Sequence, residues 1–300
     1  MAVKRAWVVI NGQTVNATYN ESTKTWTAQI TAPAQSSWSQ TNHVYGLEIH
    51  AEDQAGNQTT MDSTDATYGD ELKLRVLEKT KPTATITAPT EGSVLGAATQ
   101  TIQFTLQDSG GSGLNMSGVT LKVNGTTVTT GITYTDGSNG EKIGSYTASG
   151  LSDGANKVQL TVQDNDGNTS TEAVVNFVIS TVAPTLNVTS PTESLLTNSA
   201  ALTVTGTAAA GSDTVTLSEV TVNGEKVTVT GGSFSKQITL TEGANTITII
   251  AKDSLGKTTT VTRHVTLDTK APVITDVVSS ATTVDASGSV TITFKVTDPT

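Results

Sequence analysis

The sequence predicts an all-β chain of several small antiparallel β-sandwiches in tandem, arranged as beads on a string. Strand-like segments alternate apolar and polar residues, as in Ile102, Phe104 and Leu106, and this period of two indicates strands with one buried face. Aromatic residues make up only 4% of the chain, so each core must be thin. No segment carries the apolar period of a helix with caps, so we expect no helix beyond isolated turns.

Two motifs recur along the chain in the same order. The first is an apolar strand that ends in Asn-Gly, and it indicates a tight hairpin because both residues tolerate positive φ. It occurs at Asn11, Asn124 and Asn223. The second is an alternating strand that runs into an Asp, with a Gly three residues later. It occurs at Asp53, Asp164 and Asp253.

Proline-led linkers set the domain boundaries, because proline fixes φ and cannot continue a strand ladder. They fall at Pro82, Pro184 and Pro272. The predicted domains are 1–80, which lacks its opening strands, 81–182, 183–270, and 271–300, which holds only the first strands of a further domain. A two-strand segment cannot bury its own apolar face, so residues 290–296 need a partner or a continuing chain.

Composition excludes several classes of function. A formal net charge of −10 argues against nucleic acid as a partner, since nucleic-acid binding needs clustered Lys and Arg. Without cysteine there are no disulfides, thiolate nucleophiles or Cys-ligated zinc sites. The first apolar stretch is interrupted by Asn11-Gly12, too early for an export signal, and no segment is long enough to insert into a membrane.

The repeats resemble bacterial immunoglobulin-like (Big-type) repeats. The resemblance rests on the strand with Val-Asn-Gly and on the segments 53–57, 242–247 and 267–272, and it covers nearly the whole chain. The first 77 or so residues also resemble immunoglobulin-like proteins encoded among phage and prophage tail genes of Gram-positive bacteria. The fold that this resemblance implies is a row of immunoglobulin-like antiparallel β-sandwich domains.

The resemblance implies a structural and binding role without catalysis. We expect a phage tail or other virion component that spaces, decorates or contacts the host surface, made in the bacterial cytoplasm. Its partners would be other virion or surface proteins, host cell-wall glycan, or further copies of itself. The alternatives are a bacterial adhesin stalk at the cell surface, and the accessory region of a secreted carbohydrate-active enzyme.

One segment, 164–168, imitates the beginning of a calcium loop because oxygen-bearing side chains alternate along it. It fails as an EF-hand: its glycine comes too early, and Val175 stands where a bidentate Glu is needed. We favour the interpretation as a hairpin turn whose Asp and Asn side chains bond their own backbone. Related repeats in some surface proteins hold calcium at domain junctions with turn and linker acids, and the candidate ligands that this resemblance implies are Asp164, Asp166, Asp253 and Asp268. We expect calcium to be optional for folding.

The aromatic residues are distributed unevenly. All three tryptophans lie in the first 80 residues, which predicts either a heavier core in that domain or a docking or sugar-stacking surface. The candidate binding residues are Trp7, Trp26, Trp38 and Tyr45. Catalysis is not expected. The chain has three histidines, His43, His50 and His264, but no Gly-x-Ser-x-Gly turn that would present a serine nucleophile to one of them.

Overall fold

The computed structural model describes residues 2–298 and is built from strands. It forms two compact units, one of residues up to Ser93 with Ala98–Ile179, the other of Val94–Ala97 with the residues from Ser180 onward. The first, second, third and last domains are the predicted ranges 1–80, 81–182, 183–270 and 271–300. Within residues 2–298, helix is confined to four short 3₁₀ turns, Ser37–Ser39, Thr41–His43, Gly69–Leu72 and Ser138–Gly140. None of the helices in the described residues is long and apolar enough to span a membrane.

The first domain has one larger sheet, in the order β2-β1-β5-β6 with β7 paired to β5, and a separate hairpin of β3 and β4. Its buried apolar residues are few, namely Ala6, Ile10, Tyr45 and Leu72. The strands are β1 (Val3–Ile10), β2 (Gln13–Asn16), β3 (Thr18–Asn20), β4 (Thr25–Thr27), β5 (Tyr45–Asp53), β6 (Gln58–Met61) and β7 (Lys73–Leu74).

The second domain is a sandwich of two antiparallel sheets, β13-β14-β10-β8 against β12-β11-β15-β16. Ile102, Phe104 and Leu106 are fully buried between them, as their alternation predicts. The strands are β8 (Thr83–Ala88), β9 (Val94–Leu95), β10 (Gln100–Gln107), β11 (Leu114–Val123), β12 (Thr126–Thr127), β13 (Thr133–Asp136), β14 (Lys142–Ala148), β15 (Gly154–Asp164) and β16 (Ala173–Ile179).

The third domain repeats this plan with the sheets β17-β19-β23-β22 and β18-β25-β24-β20-β21. One pair departs from the antiparallel prediction, because the short β18 runs parallel to β25 at the edge of its sheet. The strands are β17 (Thr185–Ser190), β18 (Leu195–Thr197), β19 (Ala201–Ala209), β20 (Leu217–Val222), β21 (Glu225–Val227), β22 (Val229–Thr230), β23 (Ser233–Thr239), β24 (Gly243–Asp253) and β25 (Thr258–Leu267).

The last residues form a two-stranded antiparallel sheet of β26 (Val273–Ser279) and β27 (Ile292–Thr297). Its alternating residues Ile292, Phe294 and Val296 are about half exposed, at 48%, 55% and 54%. The same alternation that buries β10 therefore leaves β27 open, because no second sheet packs against this pair in the described chain.

The repeated turns have the predicted conformation. Asn11, Asn124 and Asn223 all have positive φ, and so do the glycines that follow them, which is the geometry of a tight hairpin turn. The Pro-Thr-Glu openings of the second and third domains also correspond. Glu91 accepts the N–H of Asn176 at 2.7 Å, and Glu193 accepts the N–H of His264 at 3.1 Å, so each fastens its loop to the last strand of its own domain.

Candidate functional site

The predicted acidic turns are closed by the Asp side chains themselves. Asp164 Oδ1 accepts the N–H of Asn168 at 2.8 Å, and Asp253 Oδ1 accepts the N–H of Lys257 at the same distance. Asp53 accepts hydrogen bonds from the side chain and from the backbone N–H of Asn57, and these two hydrogen bonds lower the pKa of Asp53. Hydrogen bonds of this kind are what a turn stabilised by its own Asp requires.

Asp166 links the first domain to the second. Its Oδ2 accepts the hydroxyl of Ser36 at 2.6 Å and the N–H of Glu78 at 3.1 Å. Both donors belong to the first domain, and all three residues lie in the first compact unit. Of the four acidic residues predicted from the sequence, Asp166 thus serves as a hydrogen-bond acceptor between domains.

Three carboxylates converge beside this link. Glu78 follows β7, Asp108 follows β10, and Asp164 ends β15. One carboxylate oxygen from each lies within 4.8 Å of the others, and they are the only such acidic group in the part of the chain that the structure describes. We call these three residues the junction carboxylate cluster.

Asp253 and Asp268 belong to the second compact unit, so the four predicted ligands are divided between the two units. Asp253 Oδ2 is buried without a hydrogen-bond partner in the described chain. Asp268 accepts the N–H of Lys270 at 3.1 Å. The sequence prediction included Asp164 but missed Glu78 and Asp108. Two features of the sequence could have indicated them: Glu78 lies four residues before Pro82, and Asp108 begins a glycine-rich loop.

A charged and aromatic row covers one face of the first domain's sheet. The guanidinium of Arg5 lies 4.7 Å from the centre of the Trp7 ring, and Trp7 stacks on His50 with ring centroids 5.1 Å apart. Glu52 binds Lys4 and Arg5, each at 2.6 Å. The hydrogen bond from Lys4, followed by that from Arg5, lowers the pKa of Glu52 to about 2, so this carboxylate stays charged at any physiological pH.

A second aromatic pair lines a groove on the first domain. Tyr19 and Trp26 sit opposite each other in the β3–β4 hairpin, with ring centroids 5.1 Å apart and planes inclined by 41°. Glu21 and Lys24 form an ion pair of 2.9 Å in the same hairpin. The residues that line the groove are Ala2, Val3, Tyr19, Glu21, Lys24 and Trp26; we call it the Tyr19–Trp26 groove.

The remaining predicted binding residues lie elsewhere. Trp38 stacks on His43 with ring centroids 4.0 Å apart. Tyr45 is only 6% exposed and its hydroxyl donates to the carbonyl of Gln35. Tyr45 is therefore a core residue, and the surface role predicted for it is corrected here. The aromatic surplus of this domain thus serves partly its core and partly its surface.

The histidines have structural partners. His50 binds Glu48 at 3.0 Å and Thr60 at 2.9 Å. His264 binds Glu193 at 2.6 Å, and this hydrogen bond lowers the pKa of Glu193. The hydrogen bonds of His43 and His50 go to carbonyl, carboxylate or threonine oxygens in the described chain, which is not the arrangement of a serine nucleophile and its base.

Comparison with known proteins gives one family match. The sequence profile of the family described as glucodextranase, domain B, matches residues 184–269. This range coincides with the third domain and leaves the rest of the chain outside the match. No curated protein matches the sequence.

Solved structures resemble parts of the chain at low sequence identity and with low TM-scores. Fibronectin(III)-like modules of CbhA from Clostridium thermocellum are 21% identical, cover 62% of this chain and 94% of theirs, and give a TM-score of 0.33. Three immunoglobulin domains of titin are 10% identical, with coverages of 89% and 88% and a TM-score of 0.42. The FdeC adhesin of Escherichia coli is 15% identical, with coverages of 88% and 86% and a TM-score of 0.38.

The two-sheet domains and their repeated turns define the class of protein. The chain is an immunoglobulin-like repeat protein, made of tandem β-sandwich domains. The predicted fold class is confirmed, whereas the predicted domain boundaries stay predictions.

Proposed function

We propose that this chain is a non-enzymatic structural and binding protein of a phage tail or another virion part, where it spaces domains and contacts the glycan of the host cell surface. Tandem sandwiches supply the spacing, since the second and third domains each carry their own core. Other virion proteins would hold the chain in place. The protein would be made in the bacterial cytoplasm and released with the particle.

The proposed contact with glycan rests on the Tyr19–Trp26 groove. Aromatic faces pack against the apolar faces of sugar rings, and polar tips at the rim bond the hydroxyls. Tyr19 is 41% exposed, which is high for a large aromatic side chain. Glu21 and Lys24 are exposed at the same hairpin, so the groove offers both an aromatic platform and hydrogen-bonding groups.

Replacing Trp26 with alanine should weaken binding of the chain to isolated bacterial cell walls at least tenfold. The substitution removes one wall of the groove, and a tenfold loss corresponds to about 1.4 kcal/mol, which is within the usual effect of an aromatic contact residue. Co-sedimentation with cell walls, followed by titration with the soluble glycan, measures it.

Trp38→Ala is the matched control, because Trp38 stacks on His43 and is not among the groove residues. Its binding should equal that of the unchanged chain. Equal binding by Trp26→Ala and the unchanged chain, or equal losses in the two variants, would contradict a contact through this groove.

A second candidate function is an accessory region of a carbohydrate-active enzyme. The match of residues 184–269 to a domain of glucodextranase favours it. This alternative requires a catalytic domain in the same natural polypeptide, whereas the virion role requires neighbouring genes for tail proteins. Sequencing the complete reading frame and its neighbours therefore separates the two.

A further inference from the structure

We propose that two of the four Asn-Gly pairs are sites of spontaneous deamidation, a chemical modification that the other two pairs resist. The pairs begin at Asn11, Asn124, Asn139 and Asn223. The side chains of Asn11 and Asn139 make no hydrogen bond within residues 2–298, and we call these two the free pairs. Asn124 and Asn223 are hydrogen-bonded to a neighbouring strand, and we call these the bound pairs. This inference does not rest on the proposed contact with glycan.

Deamidation needs only the asparagine, the residue that follows it and water. The backbone nitrogen of the glycine attacks Cγ of the asparagine, and the bond between Cγ and Nδ2 breaks, so that ammonia leaves and a succinimide ring forms. The proton of the glycine N–H passes through solvent to the departing nitrogen. Water then opens the ring to aspartate or to isoaspartate, in which the main chain runs through the former side chain. Glycine favours the attack because it has no Cβ to crowd its nitrogen.

Three of the four pairs stand in matching turns. Asn11, Asn124 and Asn223 have φ values of 47°, 50° and 52°, and all three are exposed. A Cβ added to the glycine of any of these pairs would meet no atom within 4 Å, so each turn is open to water. The three turns therefore differ mainly in what the asparagine side chain binds.

The bound pairs are restrained by hydrogen bonds of the asparagine side chain. Asn124 Oδ1 accepts the N–H of Lys157 at 2.8 Å, and its Nδ2 donates to Asn156 Oδ1 at 2.8 Å. Asn156 is 3% exposed, so rotation of the Asn124 side chain would deprive a buried oxygen of this donor, which is costly. Asn223 Oδ1 accepts the N–H of Thr248 at 2.9 Å. Both side chains must give up hydrogen bonds before Cγ can approach the glycine nitrogen.

The free pairs have no such restraint. Asn11 follows β1 as Asn124 follows β11, but no N–H of β5 bonds its side chain in the described chain. Asn139 lies in the turn Ser138–Gly140 with a φ of 54°, and it is exposed as well. Each of these side chains can rotate toward the glycine nitrogen without losing a hydrogen bond to the rest of the protein.

Conversion of Asn11 to isoaspartate should disturb the hairpin of β1 and β2. Isoaspartate lengthens the main chain by one carbon, whereas the two-residue turn between Ile10 and Gln13 sets the register of the two strands. β2 is an edge strand of its sheet, so in the described chain no second neighbour holds it in place. Either product also adds a negative charge to a chain whose formal net charge is −10. Modification of Asn11 is therefore expected to loosen β2.

Peptide mapping by mass spectrometry tests the proposal on the purified 300-residue chain, kept folded in mildly alkaline buffer and sampled over several weeks. Asn11 and Asn139 should deamidate at least tenfold faster than Asn124. A tenfold difference in rate corresponds to about 1.4 kcal/mol in activation free energy. The same measurement on the chain unfolded in urea is the matched control. All four pairs share one dipeptide, so they should react at similar rates once the structure is lost.

Hydrogen exchange of the aged chain provides a second measurement. The amides of β2 (Gln13–Asn16) should exchange faster in the fraction that carries isoaspartate at position 11. The amides of β12 (Thr126–Thr127), which follows a bound pair, should exchange as they do in the fresh chain. Unchanged exchange in β2 after complete conversion would contradict the expected loosening of the hairpin.

Two results of the mapping experiment would overturn the proposal. The first is deamidation of Asn124 in the folded chain as fast as that of Asn11, because the side-chain hydrogen bonds would then give no protection. The second is that Asn11 or Asn139 stays unmodified in the folded chain but reacts in urea, because the turn itself would then be protective.

Discussion

Replacement of Phe104 by alanine is expected to lower the free energy of unfolding of the second domain by about 3–5 kcal/mol, the usual cost of removing a buried aromatic ring. Phe104 is completely buried on β10. Its ring meets the edge of Tyr134 with centroids 6.2 Å apart. Calorimetric unfolding of the chain, resolved into its domain transitions, gives the loss.

Phe294→Ala is the matched control for this substitution. Phe294 has the same position in the Thr-Ile-x-Phe motif of β27 as Phe104 has in β10, but it is 55% exposed. Its replacement should change stability by no more than about 0.5 kcal/mol. Similar losses in both variants would mean that the last sheet is covered in solution, contrary to the exposure described above.

Exchange of Phe104 and Gly144 is expected to restore most of the stability that either single substitution removes. The two residues face each other across β10 and β14, and a Cβ on Gly144 would overlap the Phe104 ring. The third domain has the reverse arrangement, with Gly206 on β19 opposite Phe234 on β23. One ring and one glycine thus fill this site in each domain, on opposite strands.

Gly144→Phe alone should overpack the core, and Phe104→Gly alone should leave a cavity; each costs at least about 3 kcal/mol. The double variant should lose less than half of the larger single loss, so the coupling energy, which is the sum of the two single losses minus the loss of the double variant, should be at least about 4.5 kcal/mol. A double variant whose loss equals the sum of the two single losses would show that the two positions do not share one packing site.

The turns and the buried strands could be predicted from the sequence because they depend on local signals. Asn-Gly pairs require positive φ wherever they occur, and alternation in β10 or β16 directly marks the buried face. The exposure of β27 could not be predicted from alternation, and the sequence indicated it only through the number of strands in residues 271–300, because a two-strand segment cannot bury its own apolar face. The alternation of β27 is as regular as that of β10, but burial depends on a second sheet, which local sequence does not specify.

The candidate site was only partly predictable for a related reason. Asp164 belongs to a visible turn motif, whereas Glu78 and Asp108 are brought to it by the linker and by a glycine-rich loop that are distant in sequence. The concentration of aromatic residues in the first domain indicated a distinctive region, but not which of them are exposed. Tyr45 and Trp26 look equivalent in the sequence, yet one fills the core and the other lines a groove.

Gold-labelled antibodies against the purified chain, applied to phage particles from the source strain and viewed by electron microscopy, test the proposed function most directly. A structural and host-contacting virion protein should be labelled at a fixed position on the tail, and mass spectrometry of the same particles should detect the chain. Unlabelled particles, together with the chain in the culture medium joined to a catalytic domain, would contradict the virion role and support the accessory region of an enzyme.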